Sequence, residues 1–160
     1  MIDQKRALES FLRYIAVDSE THHEKPMTAL LVRELEALGL TVTVDRAGEN
    51  PAVESDSGNI FAVLPGDETL SPMLFSAHQD TVTPGRGIRP RVEDGYVYSD
   101  GTTILGADDK SGVAAIMEAL RVIREKELPH RPIEILFSVR EEGGLRGSAY
   151  FDYAPVRSRQ

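Results

Sequence analysis

The sequence contains no cysteine. Disulfides and thiolate metal sites are therefore excluded, and any bound metal has to be held by His, Asp or Glu. No apolar run approaches the roughly 20 residues of a membrane-spanning helix, so no membrane partner is expected. The N-terminus, Met1-Ile2-Asp3-Gln4-Lys5, lacks the apolar stretch of a secretory signal, and a cytoplasmic location is the corresponding expectation. Basic residues are in short supply: 18 Lys and Arg against 26 Asp and Glu give a formal net charge of −8. A surface of that sign disfavours nucleic acid and anionic membrane as partners. No internal repeat and no low-complexity segment is visible. What remains, 41% apolar and 28% charged over 160 residues, allows one folded domain with a sizeable core.

Apolar periodicity predicts alternating helices and strands. Asp3 to Val17 reads as an amphipathic helix with Leu8, Phe11, Leu12 and Ile15 on one stripe. A polar loop, Asp18 to Glu24, leads to a second helix from about Pro26 to Leu38, with Met27, Leu31, Leu35 and Leu38 on its buried face and Gly39 as its C-cap. Thr41–Val44 and Asn59–Leu64 read as strands separated by a loop rich in Gly, Pro and Ser. Met73–Ala77 is a short apolar run suited to a buried strand. Arg89 to Tyr98 reads as a hairpin turning at Asp94-Gly95. A third helix is expected from near Lys110 to about Lys126, burying Val113, Ile116, Met117, Leu120 and Ile123. Ile133–Val139 is a further buried strand, and Leu145–Tyr153 a short final helix. The alternation predicts an α/β fold, a largely parallel sheet flanked by helices.

Three polar clusters directly follow apolar runs: His78-Gln79-Asp80, Asp108-Asp109 and Glu141-Glu142. Ligands in open α/β sheets bind beyond the carboxyl ends of the strands, so the first and last clusters are expected at one sheet edge, joined by the loop carrying Asp108. One imidazole with several carboxylates and no thiol suits zinc or a similar divalent metal. Each cluster also has a plainer reading. A lone His is more often a satisfied or surface side chain, Glu-Glu is usually a solvated pair, and Asp108-Asp109 could N-cap the third helix. Their co-occurrence favours a common site, because adjacent carboxylates repel unless a cation neutralises them. Gly106 to Ser111 is not a phosphate loop, since Asp109 stands where glycine should precede the lysine. No serine sits in a Gly-x-Ser-x-Gly elbow.

Phe75-Ser76-Ala77-His78-Gln79-Asp80-Thr81-Val82, Gly101 to Gly112, and Glu141-Glu142-Gly143-Gly144-Leu145-Arg146-Gly147-Ser148 together resemble the ordered motifs of the co-catalytic dinuclear zinc peptidases. The branch they most resemble is the peptidase T-like tripeptidases, with carboxypeptidase G, acetylornithine deacetylase and succinyl-diaminopimelate desuccinylase as more distant relatives. The resemblance implies that His78 binds one zinc, Asp108 bridges two, and Glu142 binds the other. It implies that Asp80 orients the His78 ring and that Glu141 is the general base. Two Zn2+ ions per complete site are expected, with cobalt or manganese as alternatives. The expected substrate is a short peptide cut at its N-terminus. The resemblance also implies a cis peptide between Asp108 and Asp109.

Members of that family are longer, with a third carboxylate ligand, a lid or dimerisation domain and a C-terminal histidine ligand. After Glu142 this sequence has only Asp152 as a carboxylate and no histidine. Residues 1–160 are thus expected to be the N-terminal part of the catalytic domain, inactive alone, with uncovered apolar surface that favours self-association into a homo-oligomer. His22, His23 and His130 match no ligand of the family and read as surface residues. Two other functions stay open: an N-acyl-amino-acid deacylase or carboxypeptidase of the same family, and a truncated non-catalytic domain.

Overall fold

The computed structural model describes residues 1–158. Its elements are helices α1 (Gln4–Ile15) and α2 (Lys25–Ala37), strands β1 (Thr41–Val44), β2 (Ile60–Leu64) and β3 (Met73–His78), the hairpin strands β4 (Arg91–Glu93) and β5 (Tyr96–Tyr98), helix α3 (Ala107–Glu125), strand β6 (Ile133–Ser138) and the short helix α4 (Arg146–Ala149). Each predicted element is present, with ends shifted by a few residues. The final helix is the main exception, covering four residues rather than nine. No helix of the described residues is long and apolar enough to cross a membrane.

The main sheet has the order β1-β2-β6-β3. Its α/β class follows the sequence, but the expectation of a largely parallel sheet does not hold. β1 with β2 and β2 with β6 are antiparallel, and only β3 with β6 is parallel, in register from Met73 opposite Ile133 to His78 opposite Ser138. A parallel pair needs a long crossover, and among consecutive strands of this sheet only β3 and β6 are joined through an α-helix, α3. α1 and α2 both precede β1, so they cannot serve as crossovers, and β1 reaches β2 through a loop with no α-helix.

The three long helices flank one face of the sheet. Side chains of α1, α2 and α3 share one core with Ile60, Ala62, Leu64, Ile133, Ile135 and Phe137. These sheet residues alternate along β2 and β6, as pleating requires. The opposite face presents Phe61 and Leu136 and is covered by the chain after α4, through Phe151 and Val156. There the carboxylate of Glu134, 1% exposed, accepts the backbone N–H groups of Arg157 and Ser158. The edge strand β3 leaves Met73 and Phe75 each 41% exposed beside an apolar groove against α3.

Helix α1 keeps part of its predicted apolar stripe, with Ile15 buried and Phe11 packed against the core, but is turned so that Ser10 and Tyr14 face inward and Leu8 outward. Ser10, Tyr14 and Ile15 are its buried residues, while Leu8 is 37% exposed. The reason is polar. Arg121 of α3 donates to the hydroxyls of Ser10 and Tyr14 and to Glu34 of α2, and Tyr14 donates to Glu34 as well. Arg6 forms an ion pair with Glu118, which is 1% exposed. These bonds select the face of α1 that meets α3, ahead of the apolar count. Two truncations test this arrangement by urea unfolding. Ile135→Ala, in the central strand at 0% exposure, is expected to cost about 2–5 kcal/mol. Leu8→Ala is expected to cost no more than about 0.5 kcal/mol. Equal losses would show that α1 packs through its predicted stripe.

Candidate metal centre

The parallel pairing of β3 and β6 brings both carboxyl ends to one sheet edge. The backbone of Gln79 extends the ladder by donating to Ser138 O at 2.8 Å. His78 and Asp80 therefore emerge next to Glu141 and Glu142. Ligand atoms of His78, Glu141 and Glu142 lie within 4.8 Å of one another. Asp108 completes the group from the start of α3, with its Oδ1 3.0 Å from His78 Nε2. All five residues singled out from the sequence meet in one place.

Asp80 holds the cluster together. It is completely buried. Its Oδ1 accepts the backbone N–H of Glu141 at 2.9 Å and lies 3.5 Å from His78 Nδ1. Its Oδ2 accepts the N–H of Glu142 at 3.1 Å and the hydroxyl of Thr21 at 2.8 Å. The carboxylate thus lies beside the His78 ring, whose Nδ1 is 3.0 Å from the Asp80 backbone carbonyl, and also fixes the backbone that carries both glutamates. Burial alone would raise its pKa, but these donors hold it below the ordinary aspartate value.

Asp108 and Asp109 divide the two readings of their cluster. Asp109 Oδ1 accepts the N–H of Gly112 at 3.1 Å, the N-cap role. The Asp108 side chain is 84% exposed and turns to His78. Neither residue has helical backbone angles, and the peptide between them is cis, as the resemblance implies.

Lys110 is a participant that motif reading assigned no role. It is 0% exposed and donates to Ser19 Oγ at 2.6 Å and to the carbonyl of Gln79. Burial pushes its pKa down to about 8, against the pull of Asp80, Glu24 and Asp109. Its sequence signal is helix period, since Lys110, Val113, Met117 and Leu120 share the helix face that points inward. Gln79 is also fully buried, accepting from Thr28 Oγ1 at 2.7 Å and donating to Phe137 O at 2.8 Å. Nothing in the sequence signals Thr21 or Glu24, whose bonds join distant loops. His22 is a further residue that sequence reading misplaced, since it is half-buried and bonded on both ring nitrogens.

The donor set fits a divalent metal. Three carboxylates converge on one imidazole, and His78 is the one cation-forming side chain within 4 Å of Asp108 and Glu141 among the described residues. Glu142 has its pKa raised by partial burial and by the charges of Asp108, Glu141 and Asp80, against the opposing pull of His78. A bound cation relieves that repulsion. Both glutamates are within ligand reach of His78; distance does not divide them into ligand and base.

An imidazole with clustered carboxylates, at the carboxyl edge of parallel strands in a thiol-free α/β fold, is a metallohydrolase arrangement. Residues 59–159 match peptidase family M28, and the chain belongs to that family of metallopeptidases. It is 43% identical to the uncharacterised protein YqjE of Bacillus subtilis, over 98% of this chain and 42% of that protein. It is 30% identical to peptidase T of Citrobacter koseri, over 92% of this chain and 44% of that one. Two solved structures, both 40% identical, share its fold. Aminopeptidase PepT of Bacillus cereus superposes with a TM-score of 0.94, over 98% of this chain and 42% of its own. A tripeptidase of Staphylococcus aureus superposes with a TM-score of 0.92, over 96% and 41%. The chain therefore spans less than half the length of these relatives.

The cluster predicts a pH dependence for the metal-free chain. Burial opposes protonation of His78, but hydrogen bonds to Asp80 and Asp108 and the charge of Glu141 outweigh it and raise its pKa from 6.5 to about 9. A raised folded-state pKa gives stability that is full below pH 6.5 and is lost as pH rises through about 9. Lys110 acts with the opposite sign, but its contribution begins only near pH 8. Urea midpoints should therefore fall from pH 6.5 to 8 in the wild type and fall less in His78→Gln. Identical slopes in the two proteins would show that His78 is not held as an imidazolium here.

Proposed function

We propose that this chain carries the first part of the catalytic centre of a zinc-dependent aminopeptidase of the tripeptidase type, which cleaves the N-terminal peptide bond of short peptides. The observation that supports it most is the meeting of His78, Asp108, Glu141 and Glu142 at the paired ends of β3 and β6. The named activities of the two 40%-identical structures, a tripeptidase and an aminopeptidase, favour that substrate class. His78 and Glu142 would each hold one zinc ion, and Asp108 would bridge the two. Bound zinc would supply Lewis acidity, polarising the scissile carbonyl and making water a stronger acid.

The chain's own residues do the rest. Glu141 accepts the proton of the attacking water at its carboxylate and returns it to the leaving amine. Asp80 fixes the His78 ring and, through the two backbone N–H groups it accepts, the positions of Glu141 and Glu142. The assignment of Glu141 as base and Glu142 as ligand rests on the motif resemblance. A catalytic zinc takes three protein ligands and a water. His78 with Asp108, and Glu142 with Asp108, give each ion two, so we propose that further ligands come from outside residues 1–160 and that this chain alone binds zinc weakly.

Substitution in a full-length enzyme carrying this segment checks the roles. Glu141→Ala is expected to lower tripeptide turnover at least about 10²–10⁴-fold with zinc content kept, whereas Glu142→Ala should lose zinc. Equal metal loss in both variants would abolish the distinction. For the 160-residue chain itself, tripeptide turnover matching the full-length enzyme, or two tightly held zinc ions, would refute the need for added ligands.

A further inference from the structure

Beside the candidate centre, groups from three loops meet that are not themselves among its ligands. One carries His22, one Val53 and Glu54, and one Arg140, the residue before Glu141. His22 Nδ1 lies 2.6 Å from the carbonyl oxygen of Glu54, and His22 Nε2 lies 2.9 Å from Nη1 of Arg140. A carbonyl only accepts and a guanidinium only donates. The ring is therefore in a single state: neutral, with its proton on Nδ1 and a lone pair on Nε2 facing Arg140. Arg140 also donates through Nε to the carbonyl of Val53, and its backbone N–H donates to Glu24 at 3.1 Å. The guanidinium packs closely against Gly143 of the turn that follows, where a Cβ would come within 2.7 Å of Nη1. His22, Glu54 and Arg140 all have positive φ, of 82°, 56° and 55°. Side-chain-bearing residues adopt that conformation only when surrounding contacts enforce it.

We infer that His22 is a positioning residue: as the neutral Nδ1–H tautomer it locks Arg140, and through Arg140 the backbone turn that presents Glu141 and Glu142. The inference rests on the roles proposed above for the two glutamates. It gives the turn two anchors of different kinds. Asp80 holds the N–H groups of Glu141 and Glu142 from the sheet side. Arg140, held by His22, Val53 and Glu24, fastens the preceding residue from the loop side. Loss of the second anchor leaves the glutamates tied at one side only, free to swing about the Asp80 bonds.

Amide hydrogen exchange by NMR on the metal-free chain tests this without recourse to catalysis. In His22→Ala, the Glu141 and Glu142 amides are expected to exchange about tenfold faster, the loss of one hydrogen bond to a charged group. Amides of β6 should be unchanged. His22→Gln, whose amide offers one donor and one acceptor, should restore much of the protection. His23→Ala, which removes the neighbouring exposed imidazole, should match the wild type. Unchanged exchange at Glu141 and Glu142 in His22→Ala would overturn the inference, as would a rise shared equally by β6 or a Gln variant no better than Ala. Zinc content separates the two claims. Zinc content unchanged by Glu142→Ala in the full-length enzyme would refute the role given to that glutamate, while the exchange pattern still decides whether His22 fixes the turn.

Discussion

A carboxylate removed completely from water has to find its hydrogen bonds and counter-charge inside the protein, or it will not remain charged. Asp80 is in that position, and the way its needs are met organises the whole sheet edge. Its acceptors take the N–H of Glu141, the N–H of Glu142 and the hydroxyl of Thr21, and face the ring of His78. Those four partners come from three segments far apart in sequence. Satisfying one buried charge therefore brings β3, β6 and the loop after α1 together. The same bonds that make burial tolerable also aim the groups that carry chemistry.

Asp80 is not the only buried charge at this edge. Glu24 and Lys110 are both 0% exposed. Glu24 accepts from Ser55 Oγ at 2.7 Å and from the N–H of Arg140, and its pKa is raised mainly by burial. Lys110 supplies positive charge close to Asp80, Glu24 and Asp109. One buried ammonium among several carboxylates leaves the edge electronegative, and the exposed side of that field is where Asp108, Glu141 and Glu142 gather. Electrostatic attraction for a cation is thus built from below by residues that never touch it.

Much of this was legible in the sequence. Period and turn residues located the helices and strands, three polar clusters stood out after apolar runs, and the motif resemblance picked five positions from those clusters. The failures have physical reasons. Strand direction depends on what lies between paired strands in space, and the order β1-β2-β6-β3 is not a local property. The buried face of α1 was partly misread because apolar counting ignores Ser10 and Tyr14, which are drawn inward by Arg121. Lys110 lies on the inward face of its helix, but a lysine is almost never fully buried unless paired, so helix period alone does not mark it as buried. Thr21, Glu24 and His22 could not have been found, since their partners lie 59, 116 and 118 residues away.

Identical neighbours in the two acidic pairs end in different surroundings. Asp109 turns back to cap α3, while Asp108, one residue earlier, faces His78. Glu141 is the more buried of the second pair, within 3.7 Å of His78 Nε2, whereas Glu142 is exposed. Composition cannot distinguish members of such pairs. What separates the first pair is the partner each carboxylate finds, the N–H of Gly112 for Asp109 and the His78 ring for Asp108, whereas the backbone N–H groups of both glutamates donate to Asp80. The turn from Arg140 to Gly144 is short, so its direction is decided by few contacts. A small error in the placement of Arg140 would move both carboxylates relative to His78. Several distant groups, the buried carboxylates of Asp80 and Glu24 and the ring of His22 among them, are accordingly committed to holding this one turn.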